Sequence, residues 1–170
     1  MKRRYFLGLT IYAVLAACSS PAINSKPDAT YYLVRHAEKT KDKKDPALTE
    51  AGEKRAQDLA LRLKNVPLTA IYSSDYRRTR DTAAPIAAAT GLEVTLYDPG
   101  NLGGFSEKLL KERGHILVVG HSNTTPELSE RLGGDRGAPI VEATEYDRLY
   151  IVKRYGNDVS GRIERFGEKS

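Results

Sequence analysis

Two short strings in this 170-residue chain set an imidazole among anion-binding neighbours: Arg35-His36-Ala37-Glu38 and Gly120-His121-Ser122-Asn123. A third string, Ser73-Ser74-Asp75-Tyr76-Arg77-Arg78, adds guanidinium groups. Arginine offers a planar fork of N–H donors that grips phosphate oxygens in pairs. A neutral imidazole nitrogen is a competent nucleophile toward phosphorus. Nearby arginines disfavour the imidazolium and help to keep that nitrogen neutral. Two arginines and a second imidazole thus make a site for a dianion. Their charge stabilises a phosphoryl transition state without a metal. The residue types therefore predict phosphoryl transfer with no metal and no cofactor.

These strings must converge, and the pattern around them supplies a means. Residues 30–35, 68–72, 92–97 and 115–119 read as β-rich strands, the last apolar after His115. Between them, residues 48–65 carry apolar side chains at helical spacing, with Thr49 and Glu53 at a plausible start and Pro67 beyond the end. Residues 77–90 form an Ala-rich helix stopped by Gly91, with Pro85 predicting a kink or a late start. Residues 105–113 and 126–132 are shorter helices, and 146–153 with 162–166 form an antiparallel pair around Gly156-Asn157. Alternating strands and helices predict a layered α/β fold with a mostly parallel sheet flanked by helices. In such sheets ligands bind beyond the carboxyl ends of the strands. All three polar strings fall at such ends, whereas His115 opens its strand at the opposite end and is expected to be structural.

Composition narrows the class. Hydrophobic residues are 40% and charged residues 29%, which excludes collagen-like, coiled-coil and disordered chains. One cysteine excludes an internal disulfide and a Cys-rich zinc site. The net charge of +5 would suit nucleic acid, but it is unevenly placed. Lys2, Arg3 and Arg4 precede an apolar run at residues 5–17, too short to span a bilayer and right for a signal peptide. Leu15-Ala16-Ala17-Cys18 resembles the lipobox of bacterial lipoproteins, which implies removal of residues 1–17 and lipidation of Cys18. Losing those three cations takes 27 basic residues to 24 against 22 acids, a net charge near +2. No basic, aromatic-interleaved run remains for nucleic acid. Lys39 to Lys44 is a charged cluster diluted by Asp42 and Asp45, expected to be a solvated loop. Residues 18–29, polar with two prolines, read as the lipidated cysteine and a tether. Residues 30–170 form the domain. The expected location is a bacterial envelope membrane, facing the periplasm, with Ser19 suggesting the outer membrane.

The chain resembles the histidine phosphatase superfamily, which includes cofactor-dependent phosphoglycerate mutases. The resemblance rests on Arg35-His36-Ala37-Glu38, on Leu48-Thr49 followed by Gly52 and Ala56, on Ser74 with Arg78 and Thr82, and on Gly120-His121. It implies a phosphoglycerate mutase-like three-layer fold. It implies that His36 is the nucleophile and that Arg35, Arg78 and His121 hold the phosphoryl group. For Ser122, with Asn123, the residues leave two readings, a further phosphate ligand or a cap of the next helix. The family's general acid often follows the third strand, which makes Asp98 the candidate. A plain turn residue is the alternative there, and Glu38, Glu93 and Glu107 are weaker candidates. Arg77 and Arg80 are expected to be solvated. The expected activity is hydrolysis of phosphomonoesters, small molecules or phosphoproteins, through phospho-His36. A phosphate-binding lipoprotein without turnover and a phosphomutase are the alternatives. The short stretch from residue 97 to 114 predicts an open pocket.

Overall fold

In the computed structural model, residues 26–42 and 44–169 are described. The signal-like run, Cys18 and most of the tether lie outside the described residues. Six strands, β1 (Ala29–Arg35), β2 (Leu68–Ser74), β3 (Val94–Tyr97), β4 (Gly114–Gly120), β5 (Arg148–Tyr155) and β6 (Asp158–Arg165), form one sheet in the order β3-β2-β4-β1-β5-β6. The first four in that order run parallel, while β5 and β6 add antiparallel at one edge. Four helices cover it: α1 (Glu50–Leu63), α2 (Arg77–Thr90), α3 (Leu102–Lys111) and α4 (Thr124–Arg131).

Side chains alternate across a strand, so a strand covered on both faces is apolar throughout. All seven residues of β1 are buried. Tyr31 and Leu33 pack on one face with Phe105 and Leu109 of α3 and Leu128 of α4. Tyr32 and Val34 pack on the other with Leu59 and Leu63 of α1 and Ala83 and Ile86 of α2. Two cores on one sheet make the expected three-layer α/β architecture.

The departures from the sequence expectation lie at element ends. α3 begins at Leu102 rather than Phe105, because the Asn101 side chain accepts the Gly104 amide at 3.1 Å and secures a first turn containing two glycines. α4 begins at Thr124 rather than Pro126, a position in the first turn where proline's missing N–H costs nothing. α2 starts at Arg77, so Pro85 does not delay it. The β5–β6 turn is Gly156-Asn157, with Gly156 at φ 61°, where glycine is unstrained.

Candidate active site

The β1–β4 pairing fixes the first histidine. His36 stands one residue past β1, and its amide donates to the Gly120 carbonyl at 2.9 Å, extending the ladder to the strand's end. The residue is 3% exposed. Nδ1 lies 2.8 Å from the Ala37 carbonyl oxygen. A carbonyl only accepts, so Nδ1 carries the hydrogen and the lone pair belongs to Nε2. His36 lines a cavity of about 420 Å³, with Lys39, Tyr76, Arg78, His121 and Glu142 among its other walls.

A Thr82 hydroxyl ties this loop to α2. It accepts the Ala37 amide at 3.0 Å and donates to the Arg78 carbonyl at 2.7 Å. Arg78 sits at the second position of α2, among Arg77 and Arg80. Three cations at a helix N-terminus oppose the helix dipole. Arg77 is paired with Asp81, and Arg80 with Asp75 and Asp45. Arg78 has no carboxylate partner among the described residues. Its guanidinium lies 4.4 Å from the Tyr76 ring centre. Asp45, at φ 46°, supplies the cap that Tyr76 cannot, accepting the Arg77 amide at 2.8 Å.

His121 follows β4 directly. Arg78 Nη2 donates to its Nδ1 at 3.4 Å, so its Nε2 carries the hydrogen and donates to Ser74 Oγ at 2.8 Å. Ser74 passes the chain on to Thr79 at 3.1 Å. The two imidazoles meet edge to face, 5.6 Å between centres. Gly120 is required beside them: a Cβ there would lie 2.8 Å from the Tyr97 hydroxyl and 2.9 Å from Thr124 Oγ1.

Arg35 does not line the cavity. It is 2% exposed, with Nη1 donating to the Glu145 carbonyl at 2.9 Å and its guanidinium 4.1 Å from the Tyr146 ring centre. Its charge is nonetheless close enough to act on both imidazoles. Burial, then Arg35, Arg78 and His121, hold the His36 pKa down at about 3, against the Ala37 hydrogen bond. Burial, Arg78 and Arg35 hold His121 down at about 4. Both imidazoles are therefore neutral at neutral pH. The Nε atoms of Arg35 and Arg78 are buried without a hydrogen-bond partner among the described residues. A buried donor left so costs roughly 1–3 kcal/mol, and of the two arginines only Arg78 borders the cavity, where an anion's oxygens would remove that cost.

Several expectations are relocated. Asp98 does not line the cavity: it is exposed, and its carboxylate accepts the Gly100 amide at 2.8 Å. That bond makes it the turn residue, because a short side chain closes its own backbone loop. Glu38 grips Arg55 through both carboxylate oxygens at 2.7 to 2.9 Å, and Arg55 reaches on to the Phe166 and Glu168 carbonyls. Ser122 lines the cavity, with Asn123 and Thr124. His115, at the far end of β4, lies 3.4 Å from the Tyr32 hydroxyl. Lys39, read from the sequence as part of a solvated loop, is a cavity wall. Tyr76 and Glu142 are further cavity residues that sequence reasoning missed. Glu142 lies in the 132–147 connection, which carries no periodic pattern to signal it. Among the described residues, no group of three or more His, Cys, Asp or Glu is placed to hold a metal. No described helix is long and apolar enough to cross a membrane.

Comparison with known proteins agrees with this geometry. Residues 31–99 match the histidine phosphatase superfamily (branch 1), a span that includes His36 and Arg78 and stops short of His121. The chain is 42% identical over 137 residues to a protein of Photorhabdus laumondii named "Probable phosphoglycerate mutase GpmB", covering 72% of this chain and 59% of that one. It is 43% identical over 75 residues to the protein of the same name from Escherichia fergusonii, covering 40% of this chain and 34% of that one. The chain thus spans about three fifths of the first relative and a third of the second. Among solved structures, the protein histidine phosphatase SixA complexed with tungstate superposes with a TM-score of 0.64 at 18% identity, over 81% of this chain and 95% of that one. A mycobacterial glucosyl-3-phosphoglycerate phosphatase superposes with a TM-score of 0.62 at 15% identity, over 83% and 99%. Those two likenesses establish the fold, and the sequence match assigns residues 31–99 of this chain to the histidine phosphatase superfamily.

Proposed function

We propose that this protein hydrolyses phosphomonoesters through a phosphohistidine on His36. The observation that carries the reading is the Nδ1–Ala37 hydrogen bond, which fixes a neutral tautomer with its Nε2 lone pair free on a buried ring that borders the cavity. In the first step Nε2 forms a bond to phosphorus as the bond to the leaving oxygen breaks, and that oxygen takes its electron pair and a proton from water. In the second step water attacks phosphorus, the P–N bond breaks, and inorganic phosphate leaves with Nε2 restored. Arg78 holds the phosphoryl oxygens, Arg35 adds its charge from beneath, and His121 joins them by turning its Nε2–H from Ser74 to a phosphoryl oxygen. On this reading the arginines and imidazoles supply the stabilisation, with no metal called for.

A phosphomutase is the second reading, because the curated relatives carry that name. It must hold and return its substrate, which calls for an enclosed site. Here only residues 98–101 connect β3 to α3, and the cavity stays open. The lipobox-like Leu15-Ala16-Ala17-Cys18 supports a lipid anchor that places the domain at a bacterial envelope membrane, facing the periplasm.

The test is hydrolysis of an aryl phosphate by the wild type, His36→Ala and His115→Ala. Loss in the first variant alone, with acid-labile phosphate trapped on the wild type, supports the reading. Equal turnover by wild type and His36→Ala overturns it. Cys18→Ala should move the protein out of the membrane fraction, and unchanged fractionation would refute the anchor.

A further inference from the structure

A second cavity of about 390 Å³ adjoins the first, and the two share Ser122, Asn123 and Glu142 as walls. Its remaining walls are Pro126, Arg136 and residues 137–140 of the connection between α4 and β5. A phosphomonoester held by His36 must send its alcohol portion somewhere, and this cavity opens directly off the phosphoryl site.

The charges along that path are unequal. Arg136 is committed to Glu130, with 2.6 Å between Nη1 and the carboxylate. Lys39 borders the first cavity and not the second. Glu142, at the junction, has no ion-pair partner among the described residues, and it is the one carboxylate among the walls of either cavity. Its charge reaches into the site, where it supports the charged form of Arg35 against burial. An alcohol portion crossing the junction therefore meets one carboxylate with no ion-pair partner among the described residues.

We propose that the adjoining cavity is the leaving-group subsite and that Glu142 selects its occupant by charge: the substrates are phosphomonoesters of neutral or cationic alcohols, and those with a second anion near the ester are rejected. The proposal rests on the phosphoryl site described above and deepens that reading. It implies that phosphoglycerate-like esters are poor ligands of this chain, although the curated relatives are named for them. Glu142 is a specificity-determining residue here. It neither attacks phosphorus nor needs to carry a proton.

Binding tests this without turnover. The full chain carrying His36→Ala is titrated calorimetrically with O-phosphoethanolamine, glycerol 3-phosphate and 3-phosphoglycerate, then again with Glu142→Gln and with Glu142→Lys added. The expected order of affinity is cation, neutral, anion. Neutralising Glu142 should tighten 3-phosphoglycerate relative to glycerol 3-phosphate by roughly fivefold to tenfold, the size expected for one screened charge near a surface. Reversal to lysine should tighten it further and weaken O-phosphoethanolamine. A ratio that moves less than twofold in both variants overturns the proposal, as does a parent protein that prefers the anionic ester. Wild-type turnover is measured separately. Absence of His36-dependent hydrolysis would sink the phosphatase reading while the binding order still decides the role of Glu142.

Discussion

Gly52→Ala should disable the site from a residue that never touches substrate. Gly52 is the third residue of α1, where its amide donates to the capping Thr49 hydroxyl at 3.1 Å. A Cβ placed on it would lie 2.2 Å from the Glu38 carbonyl oxygen and 3.1 Å from that residue's nitrogen and carbonyl carbon. These are backbone atoms, and the carbonyl is already pinned by the Thr49 amide at 2.9 Å. Ordinary contact needs a little over 3 Å, so the 36–39 loop must shift by about 1 Å. Overpacking of this kind costs about 1–3 kcal/mol, and alanine's better helix propensity returns about 1 kcal/mol. The net loss, between nothing and about 2 kcal/mol, lowers Tm by at most roughly 8 °C for a domain of this size. The larger effect is catalytic. The same loop carries His36, and a displacement of about 1 Å can cost on the order of 100-fold in rate. Steady-state kinetics on an aryl phosphate, with circular dichroism to confirm folding, separates the two. A variant with kcat/KM within threefold of wild type and an unchanged Tm would show that α1 does not set the loop, and the reasoning would fail.

Two further outcomes follow from the same geometry. The His36 pKa is depressed from 6.5 to about 3, so the folded protein refuses a proton that the unfolded chain takes up near pH 6.5. Stability should therefore fall as pH drops from about 6.5 toward 3, with a shallower fall in His36→Gln; NMR titration of the His36 ring with a midpoint near 6.5 would refute this. Arg55→Ala leaves the Glu38 carboxylate, whose side chain is 21% exposed, without its fork and frees two C-terminal carbonyls. A loss of about 3 kcal/mol is expected by denaturant unfolding, only partly recovered by Arg55→Lys, because an ammonium cannot replace a bidentate guanidinium; full recovery would contradict the role given to the fork.

The parts of this protein that were legible in the sequence are those where one local pattern answers one local demand. A strand buried on both faces has to be apolar along its middle, and residues 31–34 and 116–119 are; a helix leaving a strand end has to keep its spacing, and residues 77–90 do, to the residue. His36, Arg78 and His121 were legible for the same reason, since each follows a strand end by a fixed count and the parallel register then brings those ends together. What could not be read is whatever depends on a side chain's direction out of an irregular segment. Asp98 and Glu142 are both carboxylates in loops, and sequence position favours Asp98. One hydrogen bond to Gly100 turns Asp98 back on its own loop, while the 132–147 connection, held where Arg148 binds the Ala138 carbonyl and Glu145, carries Glu142 to the cavity wall. Arg35 shows the converse. Its position one residue before the nucleophile is legible, yet the Glu145 carbonyl and the Tyr146 ring hold it behind the cavity. Both surprises originate in the same connection, whose Glu145 is held ionised, with a pKa of about 2: burial opposes the charge, but hydrogen bonds from Arg148, the Val141 amide and Arg165 outweigh it. The segment with least pattern in the sequence thus fixes one wall of the site and the seat of its buried guanidinium, so it is there, and not in the strand-end motifs, that differences in substrate choice have to be sought.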